Sequence, residues 1–415
     1  MIANRRQSTR VSTAEAGHAG VTSYRLDLIA SVKQGYTFSP NRQGQTQGKW
    51  LYVKVGDLNS HGNSKYMWRT TNYISDDVLA EMRAEPFLAG SIVFPRVGAA
   101  LRNNNKRILQ QDCLTDDNVI VVTVRDPNIC CAEYLYYWFD YHDLQQFCND
   151  GTVPVINGQN LRKQKVALPG IEAQKRMASM LSAWDTAIEK TERLVAAKEN
   201  RLKAIEHQLL TSRKRINGFS GDWGLLRADK IFDSVSLKGF GSEPLLSVTQ
   251  DQGVIPRDKL TGRVTMPSGE TTSFKLVEPG NFVISLRSFQ GGLEHSDYRG
   301  LVSPAYTVLQ ATREIDVRFF RHYFRSADFI KRLSVAVIGI RDGKQVSVQD
   351  FCSIKIPFPP VAEQQAIAAT LDEGEREIAL FRDQVTAFKK QKRGLMQKLL
   401  TGQWRVPVEN TRVAA

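Results

Sequence analysis

Residues 168–188 read LPGIEAQKRMASMLSAWDTAI, and residues 358–378 read FPPVAEQQAIAATLDEGEREI. The two stretches align without a gap at an offset of 190 residues, so that Gln174 falls on Gln364. A solenoid needs several shorter repeats, whereas this chain carries two long copies of one segment. The duplication therefore predicts a pseudo-twofold molecule.

Each copy has the apolar pattern of a long amphipathic helix. Apolar residues recur at alternating spacings of four and three, and they occupy eight of ten seam positions in each copy. This pattern, sustained over more than four heptads, is typical of a coiled coil. Lys198 interrupts the first seam and Lys392 the second, and polar residues in a seam are used to fix register. The apolar seam comprises Met177, Leu181, Trp184, Ile188, Val195, Leu202, Ile205 and Leu209 in the first helix, and Ile367, Leu371, Ile378, Phe381, Val385, Phe388, Leu395 and Leu399 in the second.

The two helices are predicted to pack on each other in antiparallel orientation, because a whole domain separates them along the chain. The alternative is that each seam packs only on its own neighbouring domain. Pro169 and Pro359 stand just before the helices, where proline is tolerated. Gly402 is suited to end the second helix.

The segments between the helices have a different pattern, with short β-type runs punctuated by turn-forming residues. The runs at 90–94 (GSIVF) and 280–284 (GNFVI) resemble each other, as do the aromatic helical patterns at 133–139 and 318–324. We therefore predict an α+β fold in which two pseudo-symmetric mixed α/β domains are separated by two long helices forming an antiparallel coiled coil. The expected segments are a flexible tail at 1–21, a domain at 22–167, a central helix at 168–216, a second domain at 217–357, a C-terminal helix at 358–403 and a tail at 404–415.

The composition favours a basic, intracellular protein. The net charge is +13, from 56 basic and 43 acidic residues, and such a charge attracts polyanions, of which nucleic acid is the commonest. A basic but inert surface is the alternative. Five cysteines form no CxxC pair, and six scattered histidines lack zinc-site spacing, so we expect reduced thiols and no metal. The apolar runs are too short to cross a membrane, and we expect a cytoplasmic protein with no membrane partner.

Motifs for catalysis are missing. The chain has no GxxxxGK[ST] phosphate loop, no Gly-rich nucleotide fingerprint and no Asn/Asp-Pro-Pro-aromatic methyltransferase tetrapeptide. Residues 342–344 (DGK) have the end of a nuclease motif without partner carboxylates, so a turn is the better interpretation. We predict a non-catalytic protein with no catalytic residue and no cofactor of its own.

Candidate DNA-binding residues follow from side-chain chemistry, because Arg and Lys pair with guanine, whereas Asn and Gln pair with adenine. The strongest candidate is the loop at 96–107 (RVGAALRNNNKR), although a solvated basic turn is the alternative. It contributes Arg96, Arg102, Asn103, Asn104, Asn105, Lys106 and Arg107. The corresponding loop of the second domain contributes Arg287, Ser288, Gln290 and Arg299. Segments near the start of each domain add Lys33, Gln34, Tyr36 and Lys49 in the first and Lys238 in the second.

The whole plan resembles a known family. LPGIEAQ at 168–174 and FPPVAEQ at 358–364 resemble the proline–glutamine motif that begins the two long helices in the specificity subunits of type I restriction-modification systems. The sequences LLT at 209–211 and LLTG at 399–402 resemble the ends of those helices. The first copy departs from the motif at Gly170 and Ala173. The resemblance extends from about residue 22 to about residue 406.

The resemblance implies two target-recognition domains, each reading one half of a bipartite, asymmetric site in double-stranded DNA. The paired helices would set the gap, with half-site centres about 10 bp apart. It also implies partners: two methyltransferase subunits that use S-adenosylmethionine for DNA methylation, and two restriction subunits that use ATP and Mg²⁺ in defence against foreign DNA. The alternatives are the recognition subunit of a related type II system, or a coiled-coil adaptor that binds acidic proteins and no DNA.

Overall fold

The computed structural model describes residues 15–16, 21–60, 62–149, 151–250, 252–260, 271–285, 288, 292–336 and 346–407. The chain divides into two compact units. Unit 1 comprises Met1–Thr191 together with Gln384–Ala415, and unit 2 comprises Glu192–Asp383. Both boundaries fall inside long helices, so each unit contains part of each long helix.

The described helices include the two long ones that the sequence predicts. Each of these has 40 residues and is therefore about 60 Å long. They begin at Ile171 and Val361, after the prolines that the sequence places just before them, and the residues that precede them complete or follow β-strands. In chain order the helices are α1 (Leu26–Ile29), α2 (Asp76–Met82), α3 (Ala132–Tyr141), α4 (Gly158–Arg162), α5 (Ile171–Leu210), α6 (Val317–Arg325), α7 (Ala327–Ala336), α8 (Val348–Ser353) and α9 (Val361–Leu400).

The described residues of unit 1 form three sheets. Their strand orders are β1-β2-β11, β3-β10-β7-β8-β5 and β6-β4-β9. The five-stranded sheet is antiparallel except where β5 runs parallel to β8 at its edge. The strands are β1 (Glu15–Ala16), β2 (Val21–Arg25), β3 (Ala30–Gln34), β4 (Trp50–Val53), β5 (Tyr66–Met67), β6 (Tyr73–Ile74), β7 (Ile92–Pro95), β8 (Arg107–Leu109), β9 (Leu114–Thr115), β10 (Val119–Val124) and β11 (Lys165–Pro169).

Unit 2 repeats much of this topology. Its sheets have the orders β12-β21, β13-β20-β17-β18, β14-β15 and β16-β19. The order β13-β20-β17-β18 mirrors β3-β10-β7-β8, and the pair β12-β21 mirrors β2-β11. The strands are β12 (Gly224–Arg227), β13 (Phe232–Val235), β14 (Leu246–Thr249), β15 (Gly253–Pro256), β16 (Lys275–Val277), β17 (Phe282–Ile284), β18 (Glu294–His295), β19 (Gly300–Val302), β20 (Thr307–Ala311) and β21 (Lys355–Phe358).

The segments of α5 and α9 within each unit run antiparallel. In unit 2, Lys198 forms an ion pair with Glu377 at 2.6 Å, and Leu202, one turn further along α5, lies against Gly374, one turn back along α9. In unit 1 the rings of Trp184 and Phe388 meet edge to face with centroids 5.6 Å apart. The predicted α+β fold with paired antiparallel helices is confirmed.

The heptad seam is buried along both helices. Every one of the sixteen apolar seam residues is buried or half-buried. Near the helix ends the seam also packs on the domain: Met177, Leu181 and Leu399 belong to the core of unit 1, which includes the aromatic face of α3. Ile367, Leu371 and Leu209 join the corresponding core of unit 2 with the aromatic face of α6. Both packing modes considered from the sequence therefore occur together.

A buried glutamine near the start of each long helix forms hydrogen bonds to the backbone of the adjoining domain. Gln174 donates from Nε2 to the carbonyls of Pro169 (2.8 Å) and Ile129 (2.9 Å), and its Oε1 accepts the amide of Cys131. Gln364 makes the matching bonds to the Pro359 carbonyl (2.9 Å) and the Asp316 amide (2.9 Å). Because each glutamine also binds the residues that precede α3 or α6, it sets the position of the long helix on its domain.

The two long helices also end alike. Ser212 and Gly402 both adopt left-handed backbone conformations, with φ of 56° and 75°. Their amides donate to the carbonyls of Leu209 and Leu399, respectively. Glycine adopts this conformation without steric cost, whereas serine does so less readily. The position expected for Gly402 just after the second helix is thus observed.

Candidate nucleic-acid interface

The loop between β7 and β8 is held down from within unit 1. Asn104 has a left-handed backbone and its Oδ1 accepts both the Leu144 amide (2.9 Å) and the Lys106 ammonium (2.8 Å). The Lys106 Nζ also donates to the carbonyl of His142 at 2.7 Å. These bonds attach the loop to the residues that follow α3.

Lys106 is the buried centre of this attachment. Its exposed fraction is 2%, and burial lowers the pKa of its ammonium to about 8, although the carboxylates of Asp140 and Asp143 oppose that shift. Arg107 is half-buried, donating to the carbonyls of Asn63 (2.5 Å) and Lys106 (2.8 Å), and burial lowers its pKa. We correct the expectation for Lys106, because it is buried and its ammonium bonds to Asn104 and His142. The Oδ1 of Asn104 and two nitrogens of Arg107 are also bonded within unit 1.

Internal anchoring leaves the tip of the loop available. Arg102 and Asn103 are exposed on the 3₁₀ turn Ala99–Asn103, and Asn105 is half-buried with its amide bonded to Asn59. Arg96 is half-buried directly after β7, and its Nε finds no acceptor among the described residues. The loop therefore presents a guanidinium and an amide on a fixed backbone, the combination suited to reading base edges.

The segment at 151–156 lies beside this loop, which the sequence did not indicate. The Gly98 amide donates to the Pro154 carbonyl at 2.9 Å, and the Ile156 amide donates to the Arg96 carbonyl at 2.9 Å. Thr152 and Val153 are exposed there. This segment is therefore part of the same surface as Arg102.

The segment near the start of unit 1 has mixed roles. Lys33 and Gln34 are exposed at the end of β3, as expected of contact residues. The Tyr36 hydroxyl instead accepts the Glu85 amide at 2.9 Å, and the ring packs near Phe87, so we correct its expected role to an internal one. Lys49 is exposed but paired with Asp76 at 3.0 Å.

The connection from β4 to β6 (residues 54–60 and 62–72, including β5) joins the two candidate segments of unit 1. Its Lys54 donates to Gln43 at 2.6 Å and its Asn72 accepts the Gly44 amide at 2.8 Å. At the other side its Asn59 bonds Asn105. No sequence motif marked this connection, because its contacts depend on tertiary structure.

In unit 2 fewer of the expected residues are available. Ser288 is buried and its hydroxyl accepts the Ser285 amide at 2.8 Å, while Arg299 is paired with Glu243 (2.9 Å) and with Glu278. We correct Ser288 to an internal role, whereas Arg299 is exposed and its contact with DNA stays a prediction. Lys238 is exposed. Arg287 and Gln290 lie outside the described residues.

A buried ion cluster supports the domain in unit 1. Lys392 of α9 contacts Asp185 of α5 at 2.6 Å and Asp140 of α3 at 2.9 Å. Burial lowers the pKa of Lys392, but the two carboxylates outweigh it and the net shift is upward. Tyr137 donates to Asp185 at 2.5 Å, and burial together with that carboxylate raises its pKa.

Unit 2 has a different cluster at the matching place. His322 Nε2 lies 2.9 Å from Asp372, and Arg321 contacts both Asp372 (2.7 Å) and Glu375 (2.8 Å). Ligand atoms of His322, Asp372 and Glu375 lie within 4.8 Å of one another, a spacing compatible with a metal ion. Because the Arg321 guanidinium already neutralises both carboxylates, an ion-pair network is the better interpretation.

Within the described residues, no helix is both long and apolar enough to cross a membrane.

Comparison with known proteins gives consistent results. Residues 19–198 match the family model described as the type I restriction modification DNA specificity domain. The chain is 26% identical over 308 residues to the MjaVIII specificity subunit of a type I restriction enzyme from Methanocaldococcus jannaschii, covering 66% of this chain and 70% of that protein. A second specificity-subunit sequence from that organism is 26% identical over 273 residues, which span 60% of this chain and 62% of the relative's length.

The fold is also similar to a solved one. The crystal structure of the S subunit of the type I restriction-modification system from M. genitalium superposes with a TM-score of 0.54 at 14% identity, covering 93% of this chain and 97% of that one. At such identity the likeness concerns the fold. In sequence and in fold, this chain is therefore similar to the specificity subunits of type I restriction-modification systems.

Proposed function

We propose that the chain is the non-catalytic DNA-recognition subunit of a type I restriction-modification complex. It reads a bipartite, asymmetric site in double-stranded DNA, with one half-site for each unit. The observation that carries this proposal is the pairing of repeated scaffold with divergent loops. The order of four strands and the buried glutamine at the start of the long helix recur in both units, whereas the loops after β7 and β17 carry different side chains.

The partners follow from the family. The chain would direct two methyltransferase subunits, which bring S-adenosylmethionine, and two restriction subunits, which bring ATP and Mg²⁺, to the site in the cytoplasm. The net charge of +13 supports attraction to the DNA backbone over a long range. Direct reading in unit 1 would rest on Arg102 and Asn103, with Arg96, Asn105, Lys33 and Gln34 around them.

The first experiment maps adenine methylation by single-molecule sequencing in cells with and without the gene. A bipartite motif with a fixed gap, lost on deletion, is the expected result. An unchanged methylation pattern in cells that express both this chain and its methyltransferase would contradict the proposal. A motif with the same plan but no restriction partner bound in pull-down would instead indicate a related type II system.

A double variant then assigns one half-site to unit 1. Arg102→Ala with Asn103→Ala is expected to weaken or relax recognition of one half of the motif only, by about 10-fold or more. The matched control is Arg125→Ala. Arg125 is an exposed basic residue after the opposite end of β10, about 20 Å along the strand from the residue paired with Pro95. Unchanged selectivity in the double variant would remove this loop from the interface.

A further inference from the structure

Trp68 is an exposed aromatic side chain on a rigid support. Its exposed fraction is 56%, and it follows the edge strand β5 in the connection from β4 to β6. Leaving an indole in water is unfavourable, because a buried tryptophan would contribute one of the largest apolar areas of any side chain. Single exposed apolar residues are common, so the argument depends on how this one is held.

The support is Asn63, which uses its full side-chain hydrogen-bonding capacity on this turn. Its Oδ1 accepts the amides of Trp68 (3.0 Å) and Arg69 (3.1 Å), and its Nδ2 donates to the carbonyls of Asp57 (2.9 Å) and Arg69 (2.8 Å). Asn63 itself is only 2% exposed. A side chain amide can make four such bonds, so the backbone beneath Trp68 and Arg69 is fixed before any partner arrives.

A second buried group reinforces the same turn. Asp57 accepts the Lys54 amide at 2.8 Å and the Thr70 hydroxyl at 2.9 Å. The same Thr70 hydroxyl also accepts a hydrogen bond from the Asn72 amide at 3.1 Å. The residues on both sides of Trp68 and Arg69 are thus fastened to the body of unit 1.

The turn is continuous with the candidate interface. Asn63 accepts Arg107 at its carbonyl, and the same connection bonds Asn105 through Asn59 and Gln43 through Lys54. The charged side chain that this turn presents to solvent is a cation, because Arg69 is exposed whereas Asp57 is buried. A basic, rigid turn that carries an aromatic ring fits DNA better than an acidic protein surface or a membrane.

We propose that Trp68 and Arg69 form a DNA-binding pair of unit 1, in which the guanidinium binds a phosphate and the indole packs against a sugar or base of the adjoining half-site. This inference rests on the proposed function. It adds a kind of interaction, aromatic packing, that the arginine and asparagine residues of the β7–β8 loop do not supply.

The two side chains should leave different signatures in binding experiments. With the chain assembled with its methyltransferase partner and a duplex that contains the mapped motif, Trp68→Ala is expected to lower affinity about tenfold without changing its salt dependence. Arg69→Ala is expected to reduce the slope of log affinity against log salt by about 0.9, the value for one phosphate that is no longer neutralised by the protein. Trp68→Phe should retain most of the affinity.

The controls separate the possible outcomes. Leu88→Ala removes another apolar side chain of unit 1, 59% exposed, and should leave DNA binding unchanged. If the wild-type complex binds the motif and Trp68→Ala binds it equally, the pair does not bind DNA while the proposed function stands. If Trp68→Ala fails to assemble with the methyltransferase, the turn is a protein-docking surface and the inference is overturned. If the wild-type complex shows no preference for the motif, the proposed function itself fails.

Discussion

The domain helices of the two units meet the long helices through different ion clusters. In unit 1 the domain helix α3 provides the carboxylate of Asp140 and the long helix α9 provides the cation Lys392. In unit 2 the domain helix α6 provides the cations Arg318 and Arg321, and α9 provides the carboxylate of Asp372. Similar backbones are thus joined to the long helices by different charged residues, although the equivalent positions Asp185 and Glu375 supply a carboxylate in both units.

The seam shows a related difference. Trp184 and Gly374 are equivalent at the offset of 190 residues. In unit 1 the tryptophan fills the seam against Phe388, whereas in unit 2 the missing side chain admits Leu202. The helices therefore pair in the same way in both units, but different side chains fill the seam in each. The three predictions below test how far these differences matter, beginning with the largest expected effect.

Removing the Lys392 cation from the buried cluster of unit 1 should lower the free energy of unfolding. Lys392→Ala leaves Asp140 and Asp185 without their cation in a site where Lys392 is 13% exposed, and we expect a loss of about 3 kcal/mol in the free energy of unfolding. Urea denaturation measures it. Lys175→Ala, which breaks the exposed pair with Glu172, is the control and should cost less than about 0.5 kcal/mol. Equal losses in the two variants would show that the buried cluster has no special weight.

The burial of Lys106 in the loop between β7 and β8 predicts that the free energy of unfolding depends on pH. The pKa of Lys106 is lowered from 10.5 to about 8 in the folded protein, so between these values the unfolded chain binds the extra proton. Stability from this group therefore rises with pH across that window, by up to about 1.4 kcal/mol per pH unit, and the penalty is fully present below pH 8. Wild type should gain relative to Lys106→Met between pH 8 and pH 10 in urea denaturation. A pH-independent difference would mean that the ammonium is solvated. Ser288, the buried anchor in unit 2, has no such titration.

Filling the gap in the seam of unit 2 should have the smallest effect. A Cβ on Gly374 would come within 2.6 Å of a Leu202 methyl group, so Gly374→Leu is expected to cost about 1–3 kcal/mol through overpacking. Gly394→Ala, where nothing lies within 4 Å of the added Cβ, should instead gain about 0.5–1 kcal/mol. Thermal unfolding can compare them. A stabilised Gly374→Leu would show that Leu202 moves aside freely.

Periodicity is sufficient to predict the scaffold. The spacing of Leu181, Ile188, Leu371 and Ile378 predicts two long helices, and the duplication predicts two related domains, because both depend on regular local geometry. The segment bounds 168 and 358 include the last residues of the preceding strands, and the helices begin at 171 and 361, after the prolines, as the sequence indicates. Local signals place a boundary only approximately.

The site is harder to predict, for a physical reason. The run at 102–107 is uniformly polar in sequence, yet Arg102 is exposed and Lys106 is buried. The difference arises from the His142 carbonyl and the Leu144 amide, which are about forty residues away in the chain. Asn63 and Trp68 give no pattern at all, because their significance comes from four hydrogen bonds within one turn. DNA binding by the exposed residues stays a prediction.

The division of the chain has a consequence for its synthesis. Unit 2 is formed by one continuous segment, Glu192–Asp383, whereas unit 1 needs Gln384–Ala415 to complete it. Met396, Leu399 and Leu400 are part of the core that contains Met177 and Leu181. During translation, unit 2 can therefore fold before unit 1 is complete, although most of unit 1 is synthesised before unit 2. Until the second segment of unit 1 emerges, the apolar face of Met177 and Leu181 lacks its cover and is open to aggregation or to chaperones.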